Sequence, residues 1–216
     1  MEISRFALFR GASGDTIASV ERVSARRVVP AGALLCVEGD AQAPVILVLE
    51  GALRVYQANV DGHEQTLALR LAGEVVNLPA AFTDDGRAPA NVVAWNAAAT
   101  VLLVPSAAFV SLATQDPALS LAVMRALAAQ ARHLNQLVTD LSLRSVRQRL
   151  ARFLLLESAT SEPRSWTHAE IATQLGTARE VISRQMRVLM DLGAVRQERQ
   201  RLIIADPESL RRIAEE

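Results

Sequence analysis

The sequence predicts an α+β chain with an N-terminal β-roll of jelly-roll-like character, one long helix, and a C-terminal winged helix-turn-helix. Three observations predict this fold. Short β-type runs alternate with glycines between residues 34 and 104, and a heptad of apolar residues follows Asp116. Two capped helices joined by a glycine then lie within Thr167–Gly193. We expect domains at residues 1–115, 116–143 and 144–216.

The composition is that of a globular chain, and the charges are distributed unevenly along it. Half of the 216 residues are hydrophobic and 21% are charged, which is enough to bury two modest cores. The formal net charge of zero argues against a protein that coats nucleic acid unspecifically. Residues 144–201, however, hold eleven arginines against six acidic residues, a net charge of +5, whereas residues 1–143 have a net charge of −3. The positive field therefore lies on the helix-turn-helix part.

The sequence excludes several classes of site. The single Cys36 can neither form an internal disulfide nor supply an iron–sulfur cluster, so we expect no such cluster and a cytoplasmic location. There is no run of about 20 apolar residues and no basic segment followed by an apolar one at the N-terminus, so we expect no membrane span. His63, His133 and His168 lack partners at metal-ligand spacing, and we expect no metal site.

The N-terminal part begins with a short helical segment over residues 3–24 and continues as β structure. Glycines separate the β-type runs, and Asp61-Gly62 is a hairpin signal. We expect these glycines to serve turns. The predicted strands are Leu34–Val37, Val45–Leu49, Leu53–Gln57, Thr66–Leu71, Val92–Ala94 and Val101–Val104.

The long helix is predicted to begin at Asp116-Pro117, with Asp as N-cap and Pro at the first helical position. Its apolar residues recur at alternating spacings of three and four, which is a heptad seam. The seam consists of Met124, Leu127, Ala131, Leu134, Val138 and Leu141. A buried helix packed only on its own domain is the alternative. Leu119, Ala122, Ala126 and Leu137 form a second apolar stripe, however, and a helix with two stripes needs two partners. The β-roll can cover one stripe and a second copy of the chain the other, so a homodimer explains both.

The C-terminal part is predicted to follow a hinge at Leu141–Arg144. The helix Ser145–Glu157 comes next, and its arginines either contact phosphates or are solvated, which the sequence leaves open. Strands at Ala194–Gln197 and Leu202–Ala205 would flank Glu198–Arg201 as a wing. That turn lacks the usual Gly or Asn.

Two helix-start signals define the helix-turn-helix. Thr167 precedes Glu170 by three residues, the spacing of a capping box, and Gly176 ends that helix. Thr177 and Glu180 have the same spacing, so we expect a second capping box at the start of the second helix. The second helix of such a motif can lie in a DNA major groove.

The polar residues near the start of the second helix suit base reading. Arg179, Glu180, Ser183 and Arg184 lie along one side, and Ile182, Met186 and Leu189 lie on the other. Arginine can bond a guanine edge bidentately, glutamate can accept from cytosine, and serine bonds a base or a phosphate. A solvated face with i,i+4 charge pairs is the alternative.

The run TAREVISRQMRVL closely resembles the recognition helix of Crp/Fnr-type bacterial transcription regulators. Arg179, Glu180 and Arg184 match the base-contacting residues of the cyclic-AMP receptor branch, and Glu180, Ser183 and Arg184 match those of the Fnr branch. The resemblance implies a homodimeric, DNA-binding regulator of an inverted repeat with TGTGA- or TTGAT-like half-sites, with RNA polymerase as a further partner. Further DNA contacts are expected at Thr167, Thr177, Arg187, Arg199 and Arg201.

The stretch PAG…EGD…LVLEGALRVY…DGHEQTLALRLAGE is similar to the β-roll of cyclic-nucleotide-binding domains, which implies an effector-sensing domain. The ligand signature departs from that family. Asn77-Leu78 stands where a Gly-Glu pair takes the ribose hydroxyl, although Arg87 and Ala88 match the phosphate-binding Arg and its small neighbour. Asp84 and Asp85 are close in sequence and would repel a phosphate.

Leu134 and Asn135 stand where cyclic-AMP receptors place hydroxyl residues. The effector pocket implied by the resemblance consists of Leu78, Arg87, Ala88, Leu134 and Asn135. We therefore expect no effective cyclic-AMP binding. Haem held by His63 or His133, another small-molecule, redox or gas signal, and effector-free DNA binding stay open.

The sequence bears on three classes of function. A transcription regulator of the Crp/Fnr type is the prediction. A cyclic-nucleotide- or other small-molecule-binding module without DNA function is the alternative, and it requires the recognition-helix pattern to be accidental. The sequence contains no Ser/His/Asp set, Cys/His pair, Walker loop or paired-carboxylate motif, so we do not expect an enzyme.

Overall fold

The computed structural model describes residues 3–159, 166–198 and 201–216. The chain folds into two compact units. The first comprises Met1–Gln57 and Leu67–Leu134, and the second comprises Ala58–Thr66 and Asn135–Glu216. Each unit has a hydrophobic core of its own.

The β-roll consists of two four-stranded sheets. Their strand orders are β1-β8-β3-β6 and β2-β7-β4-β5. The strands are β1 (Ala25–Val29), β2 (Leu34–Cys36), β3 (Val45–Glu50), β4 (Ala52–Ala58), β5 (Glu64–Leu71), β6 (Val75–Val76), β7 (Asn91–Ala94) and β8 (Ala99–Val104). All six predicted strands are therefore confirmed, with ends that shift by up to two residues.

Strand β1 and strand β6 were not predicted. The sequence of β1 is ARRVV, and four of its five residues are exposed, so it lacks the alternation of apolar and polar residues that marks a half-buried strand. Strand β6 has only two residues. The short helix α2 (Leu78–Ala81), which follows it, was also missed.

Two hydrophobic cores lie on opposite faces of the sheet that contains β3. Successive β3 residues point to opposite faces. Val45 and Leu47 belong to a cluster with Phe9, Phe109 and other residues of the helices, and Ile46 and Val48 belong to a cluster with residues of the second sheet. The roll interior and the layer between roll and helices are therefore packed separately.

The first 24 residues are less regular than predicted. Two 3₁₀ turns, Ile3–Arg5 and Ala7–Phe9, precede helix α1 (Gly14–Val23). Gly11, between the second turn and α1, has a φ of +90°, a conformation that glycine adopts without steric cost. The hydroxyl of Ser13 caps α1 by accepting from the N–H of Thr16 at 3.1 Å.

The helices after the roll begin where the sequence predicts. Helix α3 (Ser106–Gln115) leads to Asp116, which precedes α4 (Pro117–Leu143). Oδ1 of Asp116 accepts from the N–H groups of Ala118 and Leu119 at 3.0 and 3.1 Å, which is N-capping geometry. Leu119 and Val123 on α4 are buried in the first core.

The second unit has the helices and the two-stranded sheet expected of a winged helix-turn-helix. Its elements are α5 (Val146–Ser158), α6 (His168–Leu175), α7 (Arg179–Asp191), β9 (Val195–Glu198), β10 (Arg201–Ile204) and α8 (Pro207–Glu215). Helix α4 ends at Leu143 and Ser145 caps α5 in a capping box with Gln148, so the chain breaks within the stretch predicted as a hinge. Helix α8 was not predicted.

One core holds the second unit together. Leu150, Ile182, Leu189 and Leu210 are fully buried in it and come from α5, α7 and α8. Since α7 contributes its buried face to this core, its opposite face is free for another role.

In the described part of the chain, no single helix is both long and apolar enough to cross a membrane. Helices α3 and α4, which are joined by a sharp bend, reach that length and apolarity only when they are taken together. Within the same residues, no group of three or more His, Cys, Asp and Glu side chains could hold a metal ion.

Candidate nucleic-acid interface

The first helix of the motif begins with the predicted capping box. The N–H of Glu170 donates to Oγ1 of Thr167 at 3.2 Å, and the N–H of Thr167 donates to Oε2 of Glu170 at 2.7 Å. Thr167 is therefore occupied as the N-cap of α6. Its role in DNA binding stays a prediction.

The glycine turn is confirmed and the second capping box is wrong. Gly176 has a φ of +59°, and the N–H of Thr177 donates to the carbonyl of Ala172 at 3.0 Å. Thr177 therefore belongs to the end of α6, and the N-cap of α7 is Ala178, which makes no side-chain cap. The N-cap residue of α7 thus offers no side chain to the first N–H groups of the helix, which form the positive end of its dipole.

Helix α7 has the two faces that the sequence predicts. Ile182, Met186 and Leu189 are at most 2% exposed and lie in the core of the second unit. Four charged side chains of the opposite face are exposed, and Ser183 between them is half-buried; the exposed ones are Arg179, Glu180, Arg184 and Arg187. The amphipathic pattern is confirmed, and the base contacts stay a prediction.

Two side chains of α7 are held by residues of other helices. Nδ1 of His168 lies 2.9 Å from Oγ of Ser183, and Nε of Arg147 on α5 donates to Oε1 of Gln185 at 3.1 Å. Sequence reasoning missed both contacts, because the partners are 15 and 38 residues apart and share no motif.

The arginines of α5 make internal contacts. Arg147 binds Gln185, Arg149 donates to the carbonyl of Leu175 at the end of α6, and Arg152 lies 3.9 Å from Asp140. Burial lowers the pKa of Arg149, and the nearby charge of Asp140 opposes that shift. Arg147 and Arg149 thus brace the helix-turn-helix from α5, a role that sequence reasoning missed, and phosphate contact by the α5 arginines stays a prediction.

The wing is present as a two-stranded antiparallel sheet. Strands β9 and β10 pair with Val195 opposite Ile204 and Glu198 opposite Arg201, within one residue of the predicted ends. Arg199 and the side chain of Arg201 lie outside the described part of the chain. Their predicted phosphate contacts stay a prediction.

The pocket residues of the β-roll are not brought together. Leu78 is 4% exposed and packs in the core with Phe109 and Leu119, whereas Ala88 is buried in the other core, inside the roll. Arg87 is exposed, and its guanidinium donates to the carbonyl of Gly39 at 2.7 Å. Leu78 thus points away from the roll interior that Ala88 faces.

The residue before Leu78 has a structural role that sequence reasoning missed. Asn77 is 5% exposed and adopts a φ of +61°, a region that asparagine tolerates better than most residues. Its Nδ2 donates to Sγ of Cys36 at 3.3 Å. Burial raises the pKa of the Cys36 thiol, so this cysteine is a neutral packing residue.

The predicted dimer seam lies on α4. Met124, Leu134, Val138 and Leu141 are 59%, 38%, 63% and 40% exposed, and Ala131 is also exposed. Leu127 instead packs partly against the core of the first unit. Asn135 is exposed as well.

Comparison with known proteins agrees with both halves of this architecture. A cyclic nucleotide-binding domain model matches residues 26–116, and a Crp-like helix-turn-helix domain model matches residues 148–213. The cyclic AMP receptor protein of Thermus thermophilus is 28% identical over 191 residues, covering 88% of each chain. The transcriptional activator protein Anr of Pseudomonas protegens is 28% identical over 205 residues, covering 91% of this chain and 83% of that one.

Solved structures show the same fold over the whole chain. A Crp/Fnr-family regulator from Eubacterium rectale superposes with a TM-score of 0.78 at 21% identity, covering 99% of this chain and 100% of the other. With a cyclic nucleotide-binding domain followed by a Crp-like helix-turn-helix, this chain belongs to the Crp/Fnr family of DNA-binding transcription regulators.

Proposed function

We propose that this chain acts as a homodimer that reads an inverted DNA repeat with the exposed face of α7. In each half-site, Arg179 and Arg184 bond guanine edges, Glu180 accepts from cytosine, and Ser183 bonds a base. The role places the protein in the cytoplasm, where it acts together with RNA polymerase. The observation that carries the proposal is the pair of faces on α7.

The fixed polar side chains of α7 support base reading over the alternative of a solvated charged face. A solvated helix needs no particular partner for its polar residues, but here Ser183 and Gln185 are held by His168 and Arg147. Ordering these side chains costs conformational entropy. The ordered side chains offer a fixed geometry, which is what contact with a base edge requires. The exposed guanidinium groups of Arg179 and Arg184 are then free to reach the groove.

The exposed stripe of α4 supports the dimer. A monomer would expose Met124, Leu134, Val138 and Leu141 to water over about five turns of helix. Monomeric proteins rarely expose an apolar surface of this extent. Two copies of the stripe packed in a two-fold arrangement would bury it. Two recognition helices related by a two-fold axis fit an inverted repeat.

The effector is proposed to be something other than cyclic AMP. At the position of the ribose-binding glutamate, Leu78 packs into a core and offers no hydrogen bond. The N–H of Arg87 donates to Oδ1 of Asp85 at 3.3 Å and lowers the pKa of that carboxyl, so a negative charge stays beside Arg87. A phosphate at Arg87 would meet this charge.

The nature of the signal can be read from the native protein. An absorbance spectrum detects haem held by His63 or His133, and native mass spectrometry detects another bound small molecule. A spectrum without chromophore and a mass equal to that of the bare dimer would favour effector-free DNA binding.

A gel-shift experiment tests the central proposal. The probe carries an inverted repeat of TGTGA- or TTGAT-like half-sites whose centres lie about 34–36 Å apart, and the matched competitor carries scrambled half-sites at the same salt concentration. The repeat should form a complex that only unlabelled repeat removes. Equal competition by the scrambled duplex, or no complex with either, would favour a small-molecule-binding module without DNA function.

A further inference from the structure

The hydrogen bond between His168 and Ser183 joins the two helices of the motif at the proposed DNA-reading face. His168 is the first residue of α6, and Ser183 is in the second turn of α7, between Glu180 and Arg184. Nδ1 and Oγ are 2.9 Å apart, which is a normal hydrogen-bond distance, and the contact is partly buried. A polar contact at this place restrains a side chain that DNA would meet.

The chemistry of the pair gives this restraint a consequence. A serine hydroxyl has one proton and two lone pairs, and it rotates to suit its partner. If Nδ1 of His168 accepts, the Ser183 proton points to the imidazole and lone pairs face the groove. If Nδ1 carries the proton, Ser183 accepts from it and its own proton is free for the groove. When Nδ1 accepts, Ser183 can therefore meet a base only as acceptor, whereas when Nδ1 carries the proton Ser183 can also donate.

Base edges distinguish these two roles. In the major groove, cytosine and adenine present amino donors, whereas guanine and thymine present carbonyl acceptors. A hydroxyl free to rotate can satisfy either kind of edge and discriminates little. A hydroxyl fixed by His168 satisfies one kind better than the other.

We propose that His168 is a positioning residue that fixes the rotamer and hydrogen-bonding role of Ser183, and so sets the base preference at one position of each half-site. The inference rests on the proposed function, because it requires α7 to read DNA. It adds a specificity determinant that lies on the first helix of the motif and acts through the second.

The surroundings of His168 hold the backbone of its helix turn in place. The capping box of Thr167 and Glu170 fixes the backbone immediately before and after it, and Ile171 and Ala172 anchor the same turn in the core. Arg147 holds Gln185 in the same way from α5. The reading helix is thus supported from two neighbouring helices on either side of Arg184.

Two other roles for His168 give different results in experiment. If the hydrogen bond merely ties the helices together, removing it lowers stability without changing which base is preferred. If His168 itself contacts a phosphate, removing it weakens binding to all sequences alike and lowers the salt dependence. A change of base preference that depends on Ser183 separates the proposed role from both.

The experiment measures base preference for the full-length protein and four variants. Binding is determined for a set of duplexes that carry each base pair at every half-site position, with wild type, His168→Ala, Ser183→Ala, the double variant and His168→Asn. His168→Ala should lower discrimination about five-fold at the same base pair as Ser183→Ala, the factor of one neutral hydrogen bond. The double variant should lose no more than Ser183→Ala alone.

His168→Asn is the rescue variant. The amide atoms of asparagine are bonded to Cγ, as Nδ1 is in histidine, so the side chain can replace the contact to Ser183. Discrimination should return at least in part, with a preference that can change between donor and acceptor bases. Glu21→Ala removes an exposed polar side chain from α1 in the first unit and should leave the preference unchanged.

The outcomes are separable. A wild-type protein that discriminates, together with a His168→Ala variant that keeps the same preference, overturns the role of His168 and leaves the proposed function intact. Uniform weakening across all duplexes, with a normal unfolding temperature, also overturns it in favour of a phosphate contact. A wild-type protein without any base preference overturns the proposed function, and this inference with it.

Discussion

The backbone N–H of Ser13 donates a hydrogen bond to Oδ2 of Asp116 at 2.9 Å, across 103 residues of chain. The same carboxylate caps α4 through Ala118 and Leu119. The bond from Ser13, with further ones from Thr16, Leu119 and Ala118, lowers the pKa of Asp116 to about 2. One buried carboxylate thus joins the start of α1 to the start of α4.

Asp116→Ala should lower the free energy of unfolding of the first unit by about 1–2 kcal/mol at neutral pH, because it removes an N-cap. The folded pKa of about 2 lies below the ordinary 3.8, so the carboxylate stabilises the fold above about pH 4. That contribution disappears as the pH falls through about 2. The difference between variant and wild type should therefore shrink over this range.

Urea unfolding measured by Trp95 fluorescence, in a Trp166→Phe background, reports on the first unit. Asp84→Ala, which removes an exposed carboxylate, is the matched control. A difference that stays constant from pH 7 to pH 2 would contradict the assigned role of Asp116.

Leu134→Arg should convert the dimer to a monomer, because it places two like charges across an apolar seam. Light scattering at micromolar concentration measures the mass. Ala129→Arg adds the same charge at an exposed position on the other side of α4 and should leave the dimer intact. A monomeric wild type would remove the basis of the proposed two-fold assembly.

Patterns of burial within one element were the predictable part of this fold. The two faces of α7 follow from a period of 3.6 residues, and both are present in the structure. The exposed strand β1 gives no such signal, and it forms because it pairs with β8 along the whole of its length. The secondary structure of this segment is therefore determined by its pairing with another strand and not by its local sequence pattern.

The candidate site was predictable in its residues and less so in its geometry. In sequence, Thr177 fits a capping box as well as Thr167 does. Because Gly176 has a left-handed backbone conformation, the N–H of Thr177 bonds to a carbonyl of α6, and the N-cap of α7 is Ala178. The contact of His168 with Ser183 depends on how two helices cross, which no spacing in the sequence encodes.

Gly176→Ala should destabilise the second unit by about 1–2 kcal/mol, because a φ of +59° places a side chain in the left-handed region. An added Cβ would also come within 1.8 Å of Oε1 of Gln65, which would have to move. Trp166 fluorescence in a Trp95→Phe background measures unfolding. Gly14→Ala in the first unit, where φ is ordinary and nothing lies within 4 Å, is the control; measured by Trp95 fluorescence in a Trp166→Phe background, it should be neutral or stabilising.

Cyclic AMP should not tighten binding to the inverted repeat. The ribose partner is replaced by the buried Leu78, and Asp85 opposes a phosphate near Arg87. Isothermal calorimetry with the native protein, and gel shifts with and without the nucleotide, measure the effect. Micromolar affinity in calorimetry would show that the β-roll binds the nucleotide through other residues.

Arg184→Ala and Arg199→Ala should separate base reading from phosphate anchoring. Arg184 is exposed on the reading face of α7, so its loss should cost about 1–3 kcal/mol and relax the preference at one base pair. Arg199 is predicted at the tip of the wing, and its loss should weaken all sequences evenly and reduce the salt slope by about 1. Arg22→Ala on α1 controls for the loss of one positive charge.

Selection from randomised DNA decides whether Arg184 reads a base. Wild type should recover an inverted repeat with guanine opposite Arg179 and Arg184 and cytosine opposite Glu180, because these edges match the donors and acceptor of the three side chains. Arg184→Ala should recover the same repeat with one degenerate position per half-site, since the other contacts remain. If both proteins select an identical motif, Arg184 contributes only charge, and the exposed face of α7 must be placed on the DNA in another register.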